Sequence, residues 1–472
     1  MRILHMRWDT QLVEIKIFLY NTDKMALPPG LKTRDQVMGL AGVESSRISL
    51  LPTNTSGSYK ENEMVTFGIP SYRFSSINTA RTYLKFKIRA IGADKSRAVF
   101  AGASQVFNRL VVKNDSGVHL ESIDRYHTFS RMMDNLKSKA QLEGEASMSK
   151  DWRVLKEQRE LPDKSDYSTY TTVIHDLKSG ILGNAQKFLV NLDIMRASSG
   201  ASYTVELYLS SALTVFPETR GGMDIQYEIT DVSLELELLK IPEGEQERLN
   251  SALVSSNDGS MLPFTTYTMD RRDVPDSTAC NLQIASHQKD VTAIYSILSK
   301  KSKVRKVISQ DLKNVFGEGD HQRFLGGRFT IVDGLATTSD TVVSQYNFRY
   351  ANRSFPLSPV NMNEDSTLAL ANAITTFEMK DKMPYLADTL CTTDYKFIGH
   401  FETSMFLLAQ NFRSVQDTRI LSGLNLSSVG APLEINIQFK NTVSDIECIS
   451  FLEFSETLYI GAGGLSTLNK PM

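Results

Sequence analysis

The stretch Tyr83-Leu84-Lys85-Phe86-Lys87-Ile88-Arg89 decides the fold class. Its apolar residues alternate with charged or polar ones, and a period of two is typical of a strand with one buried face and one solvated face. The same alternation recurs in residues 232–238 and 433–439, where we expect Glu235 and Glu237 on the solvated side. We therefore predict a mainly antiparallel, all-β protein. The predicted core positions are Leu84, Phe86, Ile88, Leu234, Leu236, Ile435 and Ile437.

Helical patterns are few and do not alternate with strands as a parallel sheet would require. The clearest cover residues 123–136, 244–254 and 364–377, and in the last of these we expect Leu368, Ala371 and Ile374 to point inward. The order strand, turn, strand, helix occurs twice, with turns at Asn114 and Asn352 about half a chain apart. This repeat predicts two similar antiparallel sandwiches with short inserted helices, of jelly-roll type.

Breaks in the periodic patterns predict the domain limits within the 472 residues. Pro28-Pro29-Gly30 and several later glycines interrupt every pattern before residue 59, whereas a glycine-rich segment follows the final strand pattern. We expect an N-terminal arm (1–58), a first jelly roll (59–242), a linker helix and loop (243–261), a second jelly roll (262–460) and a C-terminal tail (461–472).

Composition excludes several classes of protein. The 52 basic and 54 acidic residues nearly cancel, so there is no overall basic field to hold nucleic acid. The three cysteines, Cys280, Cys391 and Cys448, are too few for a disulfide framework or a four-cysteine zinc site. No apolar run approaches the roughly 20 residues of a membrane-spanning helix. Charged residues interrupt the N-terminus, which argues against a signal peptide, and Met1 and Met25 both remain possible starts.

Three residue groups could suggest enzymatic chemistry, but simpler explanations account for each. Glu235 and Glu237 are spaced like paired carboxylates, yet any amphipathic strand produces that spacing. His127 with Asp124 and Arg125 fits a helix start with an acid in its first turn. The seven histidines lack the close pairs of a cupin-type metal site. We predict that the protein is not an enzyme, and that it has no catalytic, cofactor-binding or metal-binding residues and no cofactor.

One dense basic run stands out after the second half begins. Its cations could contact genome phosphates, lipid headgroups or an acidic neighbour, and a solvated loop is the alternative. The run comprises Lys300, Lys301, Lys303, Arg305 and Lys306.

Two segments resemble a known family. Residues 102–112 (GASQVFNRLVV) and 116–126 (SGVHLESIDRY) resemble the first jelly roll of the double jelly-roll major capsid proteins of the adenovirus and large DNA virus lineage. The similarity is greatest to those of polinton-like viruses and virophages. Residues 346–360 (YNFRYANRSFPLSPV) resemble the second jelly roll of the same family.

The resemblance implies a viral major capsid protein that trimerises into pseudo-hexameric capsomers and tiles an icosahedral shell. It would reside in the virion after assembly inside the host cell. Its implied partners are two further copies of the chain, neighbouring capsomers, and minor capsid, cement and penton proteins. The N-terminal arm or the basic run could also contact an internal membrane or the genome. A two-domain β-sandwich lectin or adhesin that binds glycans is the alternative.

Overall fold

The computed structural model describes most of the predicted strands and part of the connections. The described residues are 7–8, 11–12, 44–54, 56–72, 75–92, 98–135, 148–150, 167–183, 189–191, 203–216, 218–219, 225–245, 247, 260–301, 306–307, 343–362, 368–369, 371–373, 375–376, 407–414, 423–427, 432–460 and 466–468.

The first sandwich consists of eight main strands in two sheets. In chain order they are β1 (Glu44–Leu50), β2 (Met64–Ile69), β3 (Ser75–Ile91), β4 (Phe107–Asn114), β5 (His119–Asp124), β6 (Thr171–Asp176), β7 (Tyr203–Leu209) and β8 (Gln226–Lys240). Sheet I has the order β6-β3-β8-β1, and sheet II has the order β2-β7-β4-β5. All of these strand pairs are antiparallel.

The second sandwich also has eight main strands in two sheets. Its strands are β9 (Ser260–Val274), β10 (Ala279–Ile284), β11 (Val291–Lys300), β12 (Val343–Tyr350), β13 (Arg353–Asn361), β14 (Leu408–Asn411), β15 (Leu433–Phe439) and β16 (Ile446–Ile460). Sheet III has the order β9-β16-β11-β14, and sheet IV has the order β10-β15-β12-β13. These pairs are antiparallel as well.

The two sandwiches share one topology. Numbered from one to eight within each sandwich, the strands follow the order 1-8-3-6 in sheets I and III, and 2-7-4-5 in sheets II and IV. Eight antiparallel strands in two sheets with these crossovers form a jelly roll. Each strand of the first sandwich therefore has a counterpart eight strands later, so β5 corresponds to β13 and β8 corresponds to β16.

The core lies between the paired sheets and contains the predicted apolar positions. Phe86 of sheet I meets Phe107 of sheet II edge to face, with ring centroids 5.5 Å apart. All seven predicted core residues are buried. The alternation along these strands therefore identified the core face correctly.

The hairpin between β4 and β5 matches its prediction. Gly117 adopts a φ of +77°, which glycine reaches at little cost, and its N–H donates to the carbonyl of Asn114 at 3.1 Å. The side chain of Asn114 also accepts the N–H of Val118 at 2.8 Å. In the second half, Ala351 and Asn352 form the corresponding turn between β12 and β13, with Tyr350 paired to Arg353, as predicted at Asn352.

The helices differ in detail from the predictions. Helix α1 (Tyr126–Asn135) starts three residues later than expected, because β5 extends to Asp124. Residues 148–149, 243–245 and 247 are also helical, and the described part of the first half includes a short helix α2 (Ala212–Val215) and a 3-10 turn (Ala103–Gln105).

The helix predicted at 364–377 has a different inward side from the one expected. The described positions within 368–376 are helical, with Ala369, Ala373 and Thr376 buried. Leu368 and Ala371, which were expected to point inward, are exposed, and Ile374 lies outside the described residues. The small side chains of Ala369 and Ala373 allow this helix to pack closely against the core, and the larger Leu368 lies on its exposed side.

Strand β1 corrects the predicted N-terminal arm. Residues 44–50 fall within that arm, yet they pair with β8 along their whole length, from Leu50 opposite Leu234 to Glu44 opposite Lys240. In the segment Glu-Ser-Ser-Arg-Ile-Ser-Leu, Ile48 is the only apolar residue before the last position, so the alternation is too short to reveal an edge strand. This part of the chain belongs to the first sandwich, whereas the other domain limits stay predictions.

Several two- and three-residue strands extend the sheets. Tyr59–Lys60 pairs with β8, Leu189–Asn191 pairs with β3, and Ser466–Leu468 pairs with β16. A separate small sheet joins Ala98–Val99, Glu218–Thr219 and Lys306–Val307, and Arg7–Trp8 pairs with Gln11–Leu12. Among the described residues, no helix has the length and apolar character needed to cross a bilayer.

Candidate functional site

The described residues form a polar and aromatic contact region between the two sandwiches, which we call the junction. From the first sandwich it includes β5, α1 and the loop that follows β6, and from the second it includes β9, β11 and β16. The sides of β5 and α1 thereby face the outer surface of sheet III.

Glu121 lies in the middle of the junction, at the end of sheet II. Its side chain is 3% exposed and accepts hydrogen bonds from the Ser179 hydroxyl at 2.5 Å, the Gly180 N–H at 2.7 Å and the Thr266 hydroxyl at 2.8 Å. Burial raises the pKa of this carboxyl, and the three hydrogen bonds partly oppose that rise. Because Thr266 belongs to β9, this one carboxyl connects both sandwiches.

A second buried carboxylate, Glu447 of β16, binds two arginines. Arg125, between β5 and α1, donates from Nη1 to Oε1 at 2.8 Å, and Arg271 of β9 donates from Nε to Oε2 at 2.5 Å. The Ser299 hydroxyl is 3.4 Å from Oε1. Removing either partner of such a buried pair is costly because the other charge is left in a poorly solvated place. Arg125 reaches Glu447 from a left-handed backbone conformation with φ of +48°.

Aromatic rings fill the space beside these carboxylates. Phe129 of α1 lies 4.5 Å from the ring of Tyr267 and 5.5 Å from that of Phe451, measured between centroids. The hydroxyl of Tyr267 in turn donates to Glu453 at 2.9 Å. Offset aromatic contacts of this kind stabilise by more than their buried area alone. The junction therefore combines apolar packing with buried acids whose oxygens all have partners in the fold.

Gly180 brings the backbones of the two sandwiches into direct contact. A Cβ atom built at this position would lie 2.0 Å from the carbonyl oxygen of Thr265 and 3.0 Å from an oxygen of Glu121. Only the absence of a side chain permits this approach. The loop after β6 therefore packs so closely against the backbone of β9 that no methyl group fits between them.

The structure places Glu235 and Glu237 differently from the prediction. Both are buried, whereas we expected them on a solvated face. Ser49 of β1 donates to Glu235 at 2.6 Å and Ser45 donates to Glu237 at 2.5 Å, with Asn78 adding a third contact at 2.9 Å. The neighbouring strand β1, which the sequence did not reveal, covers these acids. Their role here is to accept hydrogen bonds across sheet I.

The group Asp124, Arg125 and His127 does not form one cluster. Asp124 pairs with Arg109 of β4 at 2.8 Å, Arg125 binds Glu447, and His127 lies within α1. Asp124 is the last residue of β5, so the expected acid in the first helical turn is wrong. The two charged residues stabilise the end of sheet II and the junction.

The basic run begins at the C-terminal end of β11, an inner strand of sheet III. Lys300 ends β11, the N–H of Lys301 donates to the Asp445 carbonyl at 2.9 Å, and the Lys301 ammonium is 3.4 Å from Asp273. Lys306 pairs in the small sheet with Glu218 of the first half. Lys303 and Arg305 lie outside the described residues.

Reactive groups are few in the part of the chain that the structure describes. Cys280 and Cys448 are free and buried, and burial raises their pKa to about 11 and about 12, so both thiols stay protonated near neutral pH. The described side chains contain no group of three or more His, Cys, Asp or Glu residues placed to hold a metal ion.

Comparison with known proteins gives matches in structure alone. No family model and no curated protein sequence matches the chain. The capsid of the virus PBCV-1 matches with a TM-score of 0.59 and 11% identity, over 91% of this chain and 97% of the PBCV-1 chain. The virophage Sputnik matches with a TM-score of 0.51 and 10% identity, over 98% of this chain and 94% of the virophage chain.

These matches span both sandwiches together with the junction, so the likeness is to the whole arrangement and not to a single sandwich. Two observations within the chain agree with these matches. The strand order is repeated in both sandwiches, and α1 follows the fifth strand of the first one. The chain therefore has a double jelly-roll fold similar to that of the PBCV-1 capsid and Sputnik virophage structures.

Proposed function

We propose that the protein is a viral major capsid protein with a structural role, which assembles as a trimer into pseudo-hexameric capsomers of an icosahedral shell. The observation that carries this proposal is the repeat of one strand order in two sandwiches that a buried junction holds together. Three such chains supply six similar units, which is what a six-cornered tile requires.

The junction fits a mechanical role in which the two sandwiches act as one rigid unit. A tile in a shell keeps its shape only if its units do not rotate against each other. Glu121 accepts a hydrogen bond and Glu447 forms an ion pair across the junction, and Phe129 packs between two rings of sheet III. Shape-specific packing and paired buried charges both oppose such rotation, because any displacement leaves polar groups unsatisfied.

Solution mass measurement tests the proposal. Size-exclusion chromatography with light scattering should give three times the chain mass of 52.9 kDa, and electron microscopy should show particles with a six-cornered outline. A chain that remains a monomer at high concentration would contradict the proposal. Glycan binding by such a monomer would favour the lectin alternative.

Further partners follow from the same proposal. Neighbouring capsomers and minor capsid, cement and penton proteins would contact the outside of the trimer, and the protein would reside in the virion after assembly inside the host cell. The basic run around Lys301 would contact an internal membrane or the genome, as would the N-terminal segment. Particle assembly with variants of the basic run, described in the Discussion, tests this part separately.

A further inference from the structure

The repeat within the chain pairs every surface of one sandwich with a counterpart on the other. In the junction, the side of the first sandwich that carries β5 and α1 contacts the outer face of sheet III. The counterpart of that side is β13 with the helical residues 368–376, and the counterpart of sheet III is sheet I. One chain can use the contact only once, so it leaves one copy of each surface.

The β13 side carries a projecting apolar segment. Pairing between β12 and β13 passes from Tyr346 opposite Val360 directly to Phe348 opposite Phe355, so residues 356–359 bulge out opposite Asn347. Leu357 in this bulge is 89% exposed, more than any other large apolar residue in the described part of the chain. Strand β5 has an irregularity at the corresponding place, next to Glu121, and there the strand is buried in the junction.

The charged residues on the outer face of sheet I are exposed, although Glu235 and Glu237 of the inner strand β8 are buried on the same face. Phe451 and Ile449 lie on the outer face of sheet III and are buried against the first sandwich. On the outer face of sheet I, Arg47 and Lys85 are exposed, and Lys87 keeps 45% of its side chain exposed even though it pairs with Asp231. The guanidinium of Arg47 lies over the ring of Tyr83 at 5.2 Å, which gives this face a flat amphipathic surface.

We propose that the β13 side of one chain, with Leu357 at its centre, docks on the outer face of sheet I of a second copy, in the same mode as the junction within the chain. The two surfaces differ, so the contact is heterologous, and a rotation that closes it produces a ring. The inference rests on the proposed capsomer and assigns the surfaces that its copies use. Leu357 would meet β1 of the next chain, because its counterpart strand meets β9 in the junction.

Matched substitutions test the role of Leu357. Leu357→Asp should leave the thermal unfolding of the monomer unchanged, since the side chain is exposed. It should raise the protein concentration at half assembly by about tenfold or more, as expected when the burial of one leucine side chain is lost. Val118→Asp is the control, because Val118 is an exposed apolar residue in the β4–β5 turn, away from both surfaces. An equal effect of the two variants would overturn the proposal.

Cross-linking tests which surfaces meet. Differently tagged chains that carry Leu357→Cys and Arg47→Cys are mixed, treated with a short bis-maleimide and examined for a dimer that contains both tags. Each single variant serves as a control for Cys280, Cys391 and Cys448. The proposal requires the mixed dimer in assembled protein and its loss on dilution to monomers.

The remaining outcomes separate the inference from the proposed function. A trimer that gives no mixed dimer would overturn the assignment of surfaces and leave the capsid proposal standing. A wild-type chain that never assembles would contradict both. If Arg47→Cys is protected from a thiol reagent in the monomer as strongly as in the trimer, then the chain's own N-terminal residues occupy this face, and the assignment is again wrong.

Discussion

Adding one methyl group at Gly180 should loosen the two sandwiches from each other. The Cβ of Gly180→Ala would lie 2.0 Å from the Thr265 carbonyl oxygen, and because real Cβ contacts do not fall below 3.0 Å, β9 or the loop must move by about 1 Å. Overpacking of this kind costs about 1 to 3 kcal/mol. The same movement would stretch the 2.8 Å hydrogen bond from Thr266 to Glu121, which adds about 1 to 3 kcal/mol for a buried acceptor.

Two other glycines provide matched controls. A Cβ at Gly57 would meet nothing within 4 Å, so Gly57→Ala should be neutral or slightly stabilising. A Cβ at Gly183 would lie 1.9 Å from the carbonyl oxygen of Leu177 in the same loop, so Gly183→Ala should destabilise the first sandwich locally. Only Gly180→Ala places its clash across the junction.

Unfolding in urea, followed with limited proteolysis, distinguishes these outcomes. For Gly180→Ala we expect a loss of about 2 to 6 kcal/mol in the free energy of unfolding. We also expect cleavage between the sandwiches at urea concentrations where each sandwich is still intact. If Gly180→Ala unfolds like Gly57→Ala, the close approach to Thr265 does not exist in solution and the description of the junction is wrong.

Four further predictions address the core, the junction and the basic run. Phe86→Ala should cost about 3 to 5 kcal/mol in the free energy of unfolding, and a measured loss below about 1 kcal/mol would show that this face is not buried. Arg125→Ala leaves Glu447 with Arg271 as its one arginine partner and should cost about 1 to 3 kcal/mol, whereas Lys87→Ala, which breaks an exposed pair, should cost less than about 1 kcal/mol; equal losses would contradict a buried junction. Because burial raises the pKa of Glu121 in the folded protein, folding favours its protonated form, so stability should fall as pH rises from 4.5 through the folded pKa; urea titrations at several pH values should show a smaller fall for Glu121→Gln, and identical profiles would refute this. Charge reversal of Lys300, Lys301 and Lys303 should weaken particle assembly, or genome or membrane association, while the trimer stays folded; normal particles with normal salt sensitivity would identify the run as a solvated loop.

The sequence predicted those features that depend on local pattern. Alternation around Phe86 and Ile435 identified the buried faces, because a period of two directly determines which side chains share a face. The turn at Gly117 was predicted because few residues other than glycine adopt its positive φ easily.

Features that depend on distant partners were missed. Glu235 and Glu237 look solvated in their own strand, and only pairing with β1, nearly two hundred residues away, shows that they are covered. Glu447 interrupts the mostly apolar run 446–451, which is a signal for a buried, partnered acid, whereas the polar neighbours of Glu121 give no such signal. Their partners Thr266 and Arg125 could not be identified without the fold, since each pair joins different sandwiches.

The short connection from β8 to β9 has a kinetic consequence. Nineteen residues, 241–259, join the two sandwiches. In the proposed ring, the contact between sandwiches within a chain is repeated between neighbouring chains. Tethering makes the first of these encounters intramolecular, with an effective concentration on the order of millimolar. Half of the six contacts in such a ring therefore form at a rate independent of how much protein the cell has made. Only the other half depend on collisions between chains, so dilution should affect ring closure while leaving the pairs intact.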